Sequence, residues 1–72
     1  MEYNFTAIIE REGEMYVSLC PELDIASQGN SIEEARDNLK EAVELFLETA
    51  SESERKHRIH NEVLITRIAV AV

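Results

Sequence analysis

His57 and His60 lie three residues apart with Glu62 just beyond, and side chains of these types at this spacing could in principle hold a metal ion. Arg55, Lys56 and Arg58 crowd the same stretch and oppose a cation, and no cysteine stands nearby, so surface histidines and no metal are expected. Cys20 is the only thiol and is followed by Pro21. A nucleophilic cysteine needs a base within hydrogen-bond reach, which the sequence does not supply, so a packed strand thiol is the expectation. The fifteen carboxylates raise acid/base or metal-assisted phosphodiester chemistry as a further possibility. Most of those that could pair fall on the wet side of one helix, the strand interiors hold no Asp, and Glu10 sits at a strand end. Neither an enzyme nor a cofactor is expected.

The elements that would position these residues follow from hydrophobic periodicity. Tyr3, Phe5, Ala7 and Ile9 alternate with Glu2, Asn4, Thr6 and Glu10, interrupted only by Ile8, which predicts a half-buried strand. After a turn at Glu12-Gly13, Met15, Val17 and Leu19 alternate with Tyr16, Ser18 and Cys20 and predict an antiparallel partner. Pro21 to Asp24 turns the chain into a short third strand, Ile25 to Gln28, that ends at Gly29, a residue able to take positive φ before a helix cap.

Ser31 and Glu34 have capping-box spacing, so the helix start is predicted to lie within a residue or two of Ile32. Ile32, Ala35, Leu39, Ala42, Val43, Phe46 and Ala50 form one apolar face, and Glu33, Asp37, Lys40, Glu41, Glu44 and Glu48 the polar one. Leu45 and Leu47 widen the apolar stripe toward a sheet edge or a second subunit. Thr49 to Ser53 is poor in helix formers and should break the helix, after which Ser51 with Glu54 could cap a further turn. Val63 to Val72 is rich in β-branched residues and apolar on both sides, which predicts a last strand needing cover on both faces.

Seventy-two residues with one cysteine make a single small domain, 1–72, that gains nothing from disulfides and buries only about 60% of its unfolded surface. Self-association is the remaining route to more burial, and the two-sided last strand, with Ile68 and Val70 as its interface residues, predicts a homodimer or higher homo-oligomer. No apolar run approaches the ~18 residues needed to cross a bilayer and no signal peptide opens the chain, so a cytoplasmic location away from membranes is expected. Net charge is −8, which disfavours nucleic acid and favours a basic partner. The excess is uneven: residues 1–30 carry −5, 31–54 carry −6 and 55–72 carry +3. The basic cluster from Arg55 to Arg58 suits the negative end of a helix, with a nucleic-acid patch as the other reading.

Pro21, Glu22, Leu23, Gly29, Ser31, Glu33, Glu34, Ala35, Asn38, Glu41, Ala42, Leu45 and Phe46 together resemble the HicB family of antitoxins, from about Tyr3 to the last strand. That family shows a Pro-acidic-Leu turn, a short strand ending in Gly, a Ser/Thr-x-Glu-Glu-Ala helix start and Asn-x-x-Glu-Ala beyond it. One departure is Asp24-Ile25, where the family often has Gly-Cys or a similar small pair. The resemblance implies an α+β fold: a three-stranded antiparallel sheet, one main helix on one face and a fourth, C-terminal strand (β-β-β-α-β), a HicB fold likened to part of ribonuclease H.

By the same resemblance, the chain is an antitoxin of a type II toxin-antitoxin system. It would neutralise a small basic HicA-type messenger-RNA-cleaving ribonuclease by occluding its active site. Longer family members carry a DNA-binding domain; none is expected here, and no nucleic-acid binding by this chain alone. The acids beside the motif, Glu22 and Asp24 in the loop and Glu33 and Asp37 early in the helix, are the candidate partner-binding residues. The alternative is an orphan homo-oligomeric HicB-like module with a regulatory or binding role and no toxin.

Overall fold

The computed structural model describes residues 3–59 and 62–72. Its elements run β1 (Ile8–Glu12), β2 (Met15–Cys20), β3 (Ile25–Gly29), α1 (Ile32–Thr49) and α2 (Glu52–Arg58). The three strands form an antiparallel sheet in the order β1-β2-β3. A two-residue loop, Gly13-Glu14, joins Glu12 to its partner Met15, and Gly13 takes the positive φ (64°) that such a tight hairpin needs at its first position.

β1 begins later than alternation predicts. β2 stops at Cys20 because Pro21 follows, so by the register Thr6 and the residues before it have no strand opposite them. The backbone N–H of Thr6 goes instead to the side chain of Glu22.

The helix lies on one face of the sheet: in β1 it is the side of Ile9, as alternation suggests, but in β2 it is not the side of Met15, Val17 and Leu19. Ser18 is buried in β2 and its hydroxyl donates to the Ala35 carbonyl of α1 at 2.9 Å, which identifies the covered side. The register then assigns Ile9, Tyr16, Ser18, Cys20, Ile25, Ser27 and Gly29 to that side. Ile8, Met15, Val17, Leu19 and Ala26 fall on the other, with no element over them among the described residues. The approach is closest at the start of the helix: a Cβ on Gly29 would stand 2.5 Å from the Ala35 amide nitrogen, so glycine is required at that one point, while the larger Ile9, Tyr16 and Ile25 share the same side away from it. Gly29 therefore serves close approach, and the positive φ expected there is not used.

α1 starts where its cap predicts. The Ser31 hydroxyl accepts from the Glu34 amide at 3.0 Å, the Ser31 half of the capping box. The helix buries Ala35, Leu39 and Val43 against the sheet, and the core gathers Cys20, Leu23, Leu39 and Val43 with Phe5, Ile25, Phe46, Leu47 and Ile59 around them. Ser51 accepts from the Glu54 amide and opens α2, which reaches seven residues. Two arginines tie α2 back: Arg55 donates to the Leu47 carbonyl, and Arg58 donates to the Leu23 carbonyl at 2.8 Å while its guanidinium stacks 5.0 Å from the Phe46 ring centroid.

The fourth strand expected over Val63–Val72 is not formed, so the chain reads β-β-β-α-α. Leu64, Ile68 and Val70 are 85%, 82% and 72% exposed. A strand needs a neighbour to receive its backbone hydrogen bonds, and this segment finds none within the single chain. The Cα radius of gyration is accordingly 13.9 Å, against about 11 Å for a compact chain of this length.

Candidate functional site

The loop from Pro21 to Asp24 is pinned from both sides. Leu23 is fully buried, and its amide donates to the Cys20 carbonyl. Glu22, expected to point at a partner, turns inward: its carboxylate accepts from the Thr6 amide at 3.0 and 3.1 Å and from the Thr6 hydroxyl at 2.6 Å. Burial disfavours the charge of Glu22, but the Thr6 hydroxyl and amide outweigh it and hold this carboxyl below the usual range. The Cys20 thiol donates to the same carboxylate at 3.5 Å. Burial pushes that thiol up; the Leu23 backbone opposes the shift and Glu22 adds to it, so the group stays protonated at neutral pH.

Asp24 is exposed and is the one non-glycine residue with positive φ, 56°, among the described residues. Asp tolerates this left-handed conformation better than most residues. Asp24 thus combines a free surface carboxylate with a backbone that limits what can replace it.

Glu33 and Asp37 are both exposed on α1, where Asp37 also meets Arg36 at 3.4 Å. They do not act alone. At 100° per residue, Glu33, Asp37, Glu41, Glu44 and Glu48 fall within an arc of about 80°, an acidic stripe about 22 Å long with Lys40 at its margin. Beside its C-terminal half lies a shallow groove of about 570 Å³ lined by Ser27, Asn38, Glu41, Ala42, Glu44, Leu45 and Glu48. Leu45 is 60% exposed there, an apolar side chain at the edge of the acidic stripe with Asn38 and Ala42 on its other side. The Asn38 amide donates to the Gln28 carbonyl and closes the groove against β3. The spacing of Glu41, Glu44 and Glu48 marks them in the sequence as a wet helix face; that Leu45 is exposed at its edge needs the helix orientation.

His57 faces its own helix, its Nδ1 2.9 Å from the Ser53 carbonyl, and His60 lies outside the described residues. Among the described residues no three His, Cys, Asp or Glu side chains converge as metal ligands. No helix among them is long and apolar enough to cross a membrane.

The chain is 47% identical over 51 residues to a UPF0150 protein of Thermotoga maritima, an alignment covering 67% of this chain and 68% of that protein. It is 43% identical over 49 residues to a UPF0150 protein of Synechocystis, covering 65% of this chain and 62% of the relative. No family model matches the chain, and no solved structure does.

Proposed function

The chain belongs to the UPF0150 protein family, and from that premise we propose that it is a protein-binding antitoxin of HicB type, which neutralises a small basic HicA-type ribonuclease by covering its active site. The acidic stripe of α1 with Leu45 beside it carries this reading. A ribonuclease must present lysines and arginines to RNA, and a 22 Å row of carboxylates, ~15 residues of helix, is complementary to such a surface. An exposed leucine bordering a row of charge offers an apolar contact next to the polar rim of an interface. Asp24, Glu33 and Asp37 extend the same acidic side toward the loop, while Glu22 contributes chiefly by holding that loop in shape. In this reading the chain works in the cytoplasm and binds no nucleic acid by itself, since Arg55 and Arg58 are engaged with backbone carbonyls.

The test begins with the neighbouring reading frames. One should encode a basic protein of about 60 to 90 residues, the size of a small domain. That protein, purified alone, should cleave messenger RNA, and an equimolar amount of this chain should stop it. Undiminished cleavage under a tenfold excess of this chain would reject the proposal.

The exposed tail favours a second reading, an orphan homo-oligomeric module with a HicB-like fold completed on association. Here residues 63–72, with Ile68 and Val70 at the contact, become the missing fourth strand only when a second subunit supplies cover. The absence of any small basic protein encoded nearby, together with a stable homo-oligomer, would select it.

A further inference from the structure

Two apolar surfaces of this chain lack cover: the tail, and the sheet face turned away from α1. Ile8, Met15 and Val17 are half-buried on that face and Leu19 is exposed. We propose that this open face is the seat for residues 63–72 of a second copy, exchanged reciprocally in a two-fold dimer. The inference rests on the self-association of that second reading but not on its fourth strand, since a sheet face receives side chains and not backbone hydrogen bonds, and it is independent of any toxin.

Charge selects a second copy as the occupant. By the register, Glu10 and Glu12 share the open face with Ile8 and are its only charged strand residues. The tail from Val63 to Val72 carries one charged side chain, Arg67, which is exposed. Among the described residues, none of these three has an ion-pair partner within its own chain. One cation in an apolar segment therefore matches an apolar face rimmed by two carboxylates, and the two are joined in every copy of the molecule. A basic protein would pair with the rim but leave the tail in water.

Area agrees. Each aliphatic side chain buried removes about 60–120 Å² from water. Counting tail and sheet in both seats, the exchange covers on the order of 1,500 Å², the size of a standard stable interface. A reciprocal contact is also the closed arrangement that stops at two subunits.

Sedimentation equilibrium at micromolar concentration should give twice the 8.2 kDa chain mass. Ile68→Glu and Val17→Asp should each weaken the dimer at least tenfold by forcing a charge into the contact. Circular dichroism should report α1 intact in both, because Ile68 is exposed and Val17 lies on the side away from the helix. Mixing the two variants should restore part of the dimer, since one keeps a sound tail and the other a sound seat.

A wild-type monomer would overturn self-association and the seat together. A dimer broken by Ile68→Glu but indifferent to Val17→Asp would leave self-association standing and overturn the seat. Should Val17→Asp lose helix signal, the doubly exposed change Glu10→Lys with Glu12→Lys replaces it: repulsion of Arg67 should weaken the dimer at low salt, and an unchanged dimer would overturn the seat.

Discussion

Glu22 shows how far one side chain's role can differ from its appearance in sequence. As an acid in a turn it reads as surface charge; in the fold it substitutes for the strand partner that Pro21 denies to Thr6. Replacing it with Gln should cost about 1 kcal/mol at pH 7, a charged hydrogen bond discounted for partial solvent access. The folded carboxyl titrates below its unfolded value, so its contribution is present above the ordinary glutamate pKa of about 4.3 and is lost as pH falls through the depressed value. Urea unfolding of wild type and Glu22→Gln should therefore differ at pH 7 and converge toward pH 3. At Asp24 the backbone decides: Asp24→Asn should fold normally, whereas Asp24→Val should lose about 1–2 kcal/mol from a β-branched residue held at positive φ. Charge at this position is thus tested with Asn, because Lys would confound it with strain. Thr6 and Glu22 are 16 residues apart, and nothing in their types announces the bond. Asp24 is legible as a turn residue, but its positive φ is not.

At the scale of elements, the hairpin, the short third strand and both helix starts are legible because each is set by local chemistry: Gly13 in the turn, Ser31 and Ser51 at the caps. Which face of the sheet the helix covers is not local. Met15, Val17 and Leu19 are the uniformly apolar set of β2, yet α1 sits on the set holding Tyr16, Ser18 and Cys20, where Gly29 admits the helix start and the Ser18 hydroxyl bonds the Ala35 carbonyl. Gly29→Ala should test this directly. Its Cβ would meet backbone atoms of Glu34 and Ala35 at 2.5–2.9 Å, so chemical denaturation should reveal a loss of about 1–3 kcal/mol. The last strand was legible as an apolar, β-branched segment but not as an unpaired one, since pairing depends on a neighbour that a single chain does not provide.

For the whole molecule, charge and exposed apolar surface divide between two faces. The acidic stripe of α1 looks outward on one side of the sheet, and the apolar face of Ile8 and Val17 lies on the other, so a basic partner and a second copy need not compete. With net charge −8 and two of its clustered arginines bonded to carbonyls, the chain should show no measurable binding to duplex DNA or RNA at physiological salt. Micromolar binding abolished by Arg55→Ala, Lys56→Ala and Arg58→Ala together would reveal a nucleic-acid patch instead. The claim that the acidic stripe captures a basic ribonuclease is tested most directly by the association rate of the two proteins, followed by stopped-flow fluorescence at low and high salt. Complementary charge accelerates encounter and is screened by salt. Wild type should associate roughly tenfold or more faster than Glu41→Gln/Glu44→Gln/Glu48→Gln at low salt, with the two converging at high salt. Equal rates at low salt, with inhibition of the ribonuclease intact, would contradict the account.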